Sequence, residues 1–285
     1  MPGFAHAFEL GVDAVELDVG RTRDGVVVLG HDQTVSSVTC SDTAPVRPDD
    51  DLFPYVGRRI RDLTLAQFKT LDAGVRRSAD LDLYLFTQLP IRGTPPPTLA
   101  EVCALLRTYD QRGLNLAIEL KTDPSWSDAD VAAFVSAVAE VVEDHGLTRR
   151  ARLLGFDWRV VTAARELAPG VGRVALVEEK TIQPDTTWLA GHPWDDWVAG
   201  AVAAGATAVS PHHAMVTSEL VFDAHSLGLP VAAWTVNDPR EMARFLEYGV
   251  DAIVTDYPDR LRAVMASYAL PLPRPAALRR LLKAR

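Results

Sequence analysis

Apolar and polar positions alternate along most of this chain in two rhythms, a period of two that marks strands and a period near 3.6 that marks helices. Met1 to Leu10 reads as a helix, with Pro2 tolerated in its first turn, Phe4 and Phe8 one turn apart, and Gly11 as its stop. Ala14 to Val19 follows as a short strand in which Val15, Leu17 and Val19 alternate with Glu16 and Asp18. A second apolar run, Val26 to Leu29, comes after the turn-like Arg23-Asp24-Gly25 and ends on His31-Asp32. Gln33 to Pro97 breaks the pattern with Pro45, Pro48, Pro54 and the acids Asp49 to Asp51. One helical piece is predicted there, over Thr64 to Leu71 with Thr64 as its cap. Segments this long without regular structure are usually functional or mobile.

From Thr98 the rhythm is regular. Helices are predicted over Thr98 to Tyr109, Asp128 to His145, Arg159 to Leu167, Asp195 to Ala204, Ser218 to Leu227, Pro239 to Tyr248 and Asp259 to Ala269. Strands are predicted between them over Leu114 to Leu120, Arg152 to Phe156, Arg173 to Val177, Thr207 to Ser210, Val231 to Val236 and Ala252 to Thr255. Strands that alternate with helices pair in parallel, because each return crosses a face of the sheet. With Ala14 to Val19 the parallel set numbers seven, one short of a closed (β/α)8 barrel, and the missing strand would precede the opening helix. An open doubly wound sheet is the rival, but no GxGxxG turn supports a dinucleotide site. Pro271, Pro273 and Pro275 are expected to end the fold, giving one barrel domain over 1–270, a loop region at 33–97 and a tail at 271–285.

Composition changes this picture little. The chain has 285 residues, 48% hydrophobic and 24% charged, enough to bury a large core. A net charge of −9 disfavours a nucleic-acid partner, and the basic cluster from Arg274 to Arg285 reads as a solvated terminal helix. Cys40 and Cys103 define no disulfide framework, although one bridge is open to them. Val131 to Val142, the longest strongly apolar window, is too short to span a bilayer, so no transmembrane segment is expected. No secretory signal opens the chain as written, which predicts a cytoplasmic protein.

The candidate chemistry lies between Val12 and Asp32. Glu16 and Asp18 share one strand face about 7 Å apart along the chain, and His31 arrives at the neighbouring strand end. Carboxylates suit hard divalent cations and an imidazole moves protons near neutral pH, so the grouping fits metal-assisted attack on an ester. The plain alternative is a surface strand whose acids face water. Glu119 has its own alternative, an acid neutralised by Lys121 two residues away on the same face. His212 and His213 follow the strand Thr207 to Ser210 with no motif around them.

Seven segments in order, ELDV at 16–19, TRDG at 22–25, GHD at 30–32, PTL at 97–99, IELK at 118–121, WTVND at 234–238 and GVDAIVTDYPD at 249–259, resemble the glycerophosphodiester phosphodiesterases. That resemblance covers nearly the whole chain and implies a (β/α)8 TIM barrel that hydrolyses glycerophosphodiesters to sn-glycerol 3-phosphate and an alcohol. It implies Glu16, Asp18 and Glu119 as ligands of Mg2+ or Ca2+, Lys121 as a contact to phosphate oxygens, His31 as a catalytic acid or base, and Trp234 as an aromatic lining the substrate pocket. Packing alone is the alternative for Trp234, and capping of the helix at Pro258 for Asp256. The loop after His31, QTVSSVTC, departs from the family's Arg-x-Thr element. The family's His-Arg-Gly strand and Pro-Glu-Asn-Thr segment have no counterpart before Met1. The expectation is therefore a start assigned at an internal methionine, an impaired chain as written, and an exported form if the missing piece carries a signal peptide. A non-catalytic metal and phosphodiester-binding module and a phospholipase D-like hydrolase of lipid head groups are the alternatives.

Overall fold

The computed structural model describes residues 1–77, 84, 86–109 and 113–278. Contacts divide the chain into two units, Met1–Leu17 with Cys103–Arg285, and Asp18–Val102. The two boundaries, at 17/18 and 102/103, fall inside a strand and a helix.

In the first unit, helix α1 (Pro2–Leu10) leads into strand β1 (Ala14–Arg21), whose first half lies in this unit. After helix α3 (Leu99–Arg107) come β3 (Asn115–Leu120), α4 (Asp128–Asp144), β4 (Ala151–Gly155), α5 (Arg159–Leu167), β5 (Gly172–Val177), α6 (Trp197–Ala204) and β6 (Ala208–Pro211). The series ends with α7 (Ser218–Ser226), β7 (Ala232–Ala233), α8 (Pro239–Tyr248), β8 (Ala252–Ile253) and α9 (Pro258–Ser267). Strands β3 to β6 pair in parallel with Glu119 opposite Leu154, Leu154 opposite Val174 and Val174 opposite Ala208. Parallel bridges Val209–Val231 and His212–Trp234 carry the pairing on to β7, which pairs with β8. At the other edge β1 neighbours β3, and Asn115 N–H donates to Asp13 O at 2.9 Å. The result is the α/β barrel expected from the sequence, with strands β3 to β8 parallel and in sequence order among the described residues.

The helices form where the apolar stripe and the caps agree. Ser127 caps α4 by accepting from Asp130 N–H, and Val131, Phe134, Val135, Val138 and Val142 form its buried face. Asp238 caps α8, and Gly205 and Gly249 close α6 and α8 in the left-handed conformation that glycine adopts without strain. A core between sheet and helices gathers Val161, Ala201, Val209, Val231 and Phe245. Burial of each such valine or phenylalanine is worth roughly 1.5–3 kcal/mol. The opposite sheet face lines the barrel interior, where Leu154, Val174 and Leu176 pack with Ala117, Phe156, Ala208 and Trp234.

Two expectations need correction. The prolines after α9 do not end the fold, and the described part of the tail is not a solvated helix. Ala276 is buried and its N–H donates to Phe8 O at 2.8 Å. Arg262 Nη1 donates to Gly11 O and Pro273 O, both at 2.7 Å, and Leu278 bridges Tyr109. A chain rich in proline cannot continue a helix, and in extended form it offers its backbone to α1. The rest of the basic cluster, 279–285, lies outside the described residues. The strand read over Val231 to Val236 is regular only at Ala232–Ala233, with Trp234 joined to His212 by an isolated parallel bridge.

In the second unit, the end of β1 pairs antiparallel with β2 (Val27–Leu29), Val19 opposite Leu29 and Arg21 opposite Val27. Between them Thr22 donates its hydroxyl to Asp24 at 2.7 Å, and Asp24 accepts Leu65 N–H at 2.9 Å at the start of helix α2 (Leu65–Phe68). The segment read as irregular holds a core of its own, Val28, Val35, Tyr55, Ile60, Leu63, Phe68 and Leu71. Two of its acids are structural: Asp50 accepts from Tyr55 Oη at 2.6 Å, and Asp72 accepts the N–H groups of Gly74, Gly93 and Thr94.

Candidate active site

Alternation along β1 buries Val15, Leu17 and Val19 and turns Glu16 and Asp18 to the other face, both with some solvent access. Glu119, near the end of β3, is buried at 8% exposure. Carboxylate oxygens of Glu16, Asp18 and Glu119 all lie within 4.8 Å of one another. A hard divalent cation binds oxygen at roughly 2.0–2.6 Å, so donors on two sides of one ion stand about that far apart. The donor set, three anionic oxygens and no sulfur, fits Mg2+ or Ca2+. Acids this close repel one another unless a positive charge stands among them.

Lys121 supplies part of that charge. Its Nζ lies 2.6 Å from Glu119 Oε1, with both side chains largely buried. Neutralisation by Lys121 and membership of the acidic cluster, set against each other in the sequence, therefore coexist at Glu119.

His31 belongs to the second unit. Its Nδ1 pairs with Asp32 Oδ1 at 2.8 Å on an exposed side chain. The preceding residue ties it to the acid strand, since Gly30 N–H donates to Asp18 O at 3.1 Å. A Cβ at Gly30 would lie 2.7 Å from the tip of the Ile60 side chain, so a larger residue there asks Ile60 to shift.

Trp234 stands elsewhere on the barrel rim, half-buried, with its indole N–H donating to Ser210 O at 2.8 Å. Its ring meets Phe156 and His212 edge-on, at centroid distances of 5.5 and 5.0 Å. Asp256 does not cap α9: it accepts from Asn237 Nδ2 at 2.7 Å, while Asn237 Oδ1 accepts from Thr255 Oγ1 and Asp256 N–H. The WTVND and GVDAIVTDYPD segments thus lock to each other. Cys40 and Cys103 are both free thiols, and burial pushes Cys103 up to about 12.

Sequence reasoning passed over Phe156 and Glu178, and offered His212 only as a residue able to line the mouth, without a motif. The signal was present, because counting by two from Leu154, Leu176 and Ser210 puts Phe156, Glu178 and His212 on the face that lines the barrel, just past the strand ends.

The sequence pattern of the Glycerophosphoryl diester phosphodiesterase family matches residues 1–260. A glycerophosphodiester phosphodiesterase of Caldanaerobacter subterraneus subsp. tengcongensis is 26% identical over 258 residues, covering 90% of this chain and 88% of that one. A solved structure from Silicibacter pomeroyi DSS-3 is 30% identical with a TM-score of 0.80, covering 95% of this chain and 88% of that one. An Oleispira antarctica phosphodiesterase, solved in complex with the product sn-glycerol-3-phosphate, has a TM-score of 0.68 at 22% identity, with coverages of 92% and 89%. The family's pattern thus runs through both acid-bearing strands and on into the last helix, and this chain belongs to the Glycerophosphoryl diester phosphodiesterase family.

Proposed function

We propose that this phosphodiesterase hydrolyses a glycerophosphodiester to sn-glycerol 3-phosphate and an alcohol, and that it depends on Mg2+ or Ca2+ held by Glu16, Asp18 and Glu119. The convergence of those three carboxylates carries the reading. A cation there supplies charge stabilisation to the phosphate oxygens. Lys121, a compact positive charge on a largely buried stem, binds one of the same oxygens and keeps Glu119 aligned. In the reaction a water oxygen bonds to phosphorus and the phosphorus–alcohol oxygen bond breaks, so one proton leaves the water and one reaches the departing oxygen. His31 handles one of these transfers. The contact of its Nδ1 with Asp32 fixes the ring and leaves Nε2 as the exchanging atom. Trp234 walls the pocket.

The test is release of glycerol 3-phosphate from glycerophosphocholine by the purified protein with Mg2+ or Ca2+. EDTA should abolish it, and His31→Ala should lower kcat by about 10²–10⁴-fold. Turnover that survives both EDTA and Glu119→Gln overturns the metal assignment.

A further inference from the structure

Beyond the acids, a second group of side chains gathers where β5 and β6 end. Glu178 and His212 each lie two residues past an inward-facing strand position. With Glu179, Lys180 and Gln183 they line a cleft of about 560 Å³.

His212 is held with care. Its backbone N–H donates to Val177 O at 2.9 Å, the N–H of His213 donates to Trp234 O at 2.6 Å, and the ring rests edge-on against Trp234. Ala214 N–H donates to His212 Nδ1 at 3.3 Å. A backbone N–H can only donate, so Nδ1 bears the lone pair and the ring proton sits on Nε2. Burial, and then the neighbouring His213, lower the pKa of His212 and favour that neutral form. Of the charged groups around it, Glu178 pairs with Lys180 at 2.7 Å and Glu241 with Arg244 at 3.0 Å, and His213 Nδ1 lies 3.4 Å from Glu241.

We infer that His212 is a positioning residue whose Nε2–H donates to a hydroxyl oxygen on the alcohol arm of the diester, so that the cleft selects small hydroxylated alcohols. This rests on the hydrolytic reading above. Ala214 and Met215 also line the cleft, Glu178 is paired with Lys180, and Gln183 Nε2 donates to Glu179 O, so His212 Nε2–H is the donor presented to a hydroxyl. A hydroxyl oxygen satisfies that donor, whereas an alkyl arm displaces its water and returns nothing. Sites built to hydrogen-bond a hydroxyl discriminate strongly against analogues that lack it.

The experiment compares glycerophosphoglycerol with glycerophosphoethanol, whose alcohol has no further hydroxyl. The wild type should favour the first by at least about tenfold in kcat/KM. His212→Phe keeps a ring against Trp234 but removes the donor. It should lose about tenfold on glycerophosphoglycerol, mainly through KM, and less than about twofold on glycerophosphoethanol. His212→Gln, which restores an N–H near the same place, should recover most of the loss. Equal losses on both diesters, or none on either, overturn the inference. The same pair of ligands is titrated calorimetrically into the Ca2+-loaded proteins. A wild type that binds but does not turn over either diester refutes the hydrolytic reading alone, since the ratio of affinities still decides for or against His212.

Discussion

Asp157 is fully buried, and Arg159 is what makes its charge tolerable. The guanidinium lies 2.7 Å from Asp157 Oδ2, and it also donates to Asp128 Oδ1 and to the carbonyls of Trp126 and Asp123. The bond to Asp157 comes first among the causes that raise the pKa of Arg159, so the guanidinium keeps its charge. One side chain thereby ties the segment after β3, which begins at Lys121, to the start of α5. Arg159→Ala leaves a buried carboxylate uncompensated and should cost about 3–5 kcal/mol in urea unfolding. Arg159→Ala with Asp157→Asn should cost distinctly less, and a single-variant loss below about 1 kcal/mol contradicts this account. Neither residue stood out in the sequence, since Asp-Trp-Arg before an apolar run reads as an ordinary helix start. Only the distant carbonyls of Asp123 and Trp126 give it meaning.

At the scale of elements, the PTL segment marks a return point. Leu29 N–H donates to Pro97 O at 2.9 Å, and Thr98 bridges Val28 in antiparallel fashion. Thr98 and Glu101 then form a reciprocal cap, Glu101 N–H to Thr98 Oγ1 at 3.1 Å and Thr98 N–H to Glu101 Oε2 at 2.8 Å, and Leu99 opens α3 fully buried. Glu101 also pairs with Lys69 at 2.6 Å. Thr98→Ala should destabilise the protein by about 1 kcal/mol, read from the urea midpoint at unchanged slope. Thr98→Ser should cost only a few tenths, and an equal loss from both would mean the cap is not what Thr98 contributes.

Elements of this kind were legible because their information is local. Val131, Phe134, Val135, Val138 and Val142 announce α4 by spacing alone, and Thr64 announces α2. What failed was where partners are remote. Ala276 finds Phe8 from the far end of the chain, and the core of Val35, Tyr55, Ile60 and Leu71 has no period to reveal it.

For the whole molecule the same division explains the site. Period two along β1 was enough to put Glu16 and Asp18 on one face. Nothing local could bring Glu119 to them, since that requires β3 to lie beside β1 and its own acid to fall at the same level of the sheet. Only the resemblance of IELK to the family's segment supplied it. His212 shows the converse, a residue without a motif whose role follows from the register of β5 against β6 and the bridge to Trp234. No helix among the described residues is long and apolar enough to cross a membrane.

The most direct test of the account is calorimetric titration of Mg2+ and Ca2+ into the wild-type protein, Glu16→Ala and Glu119→Gln. Saturable binding of one ion per chain, weakened at least about tenfold in each variant, is the predicted result. Unchanged affinity in Glu119→Gln would contradict it, because the acids on β1 and β3 would then not be gripping the same ion.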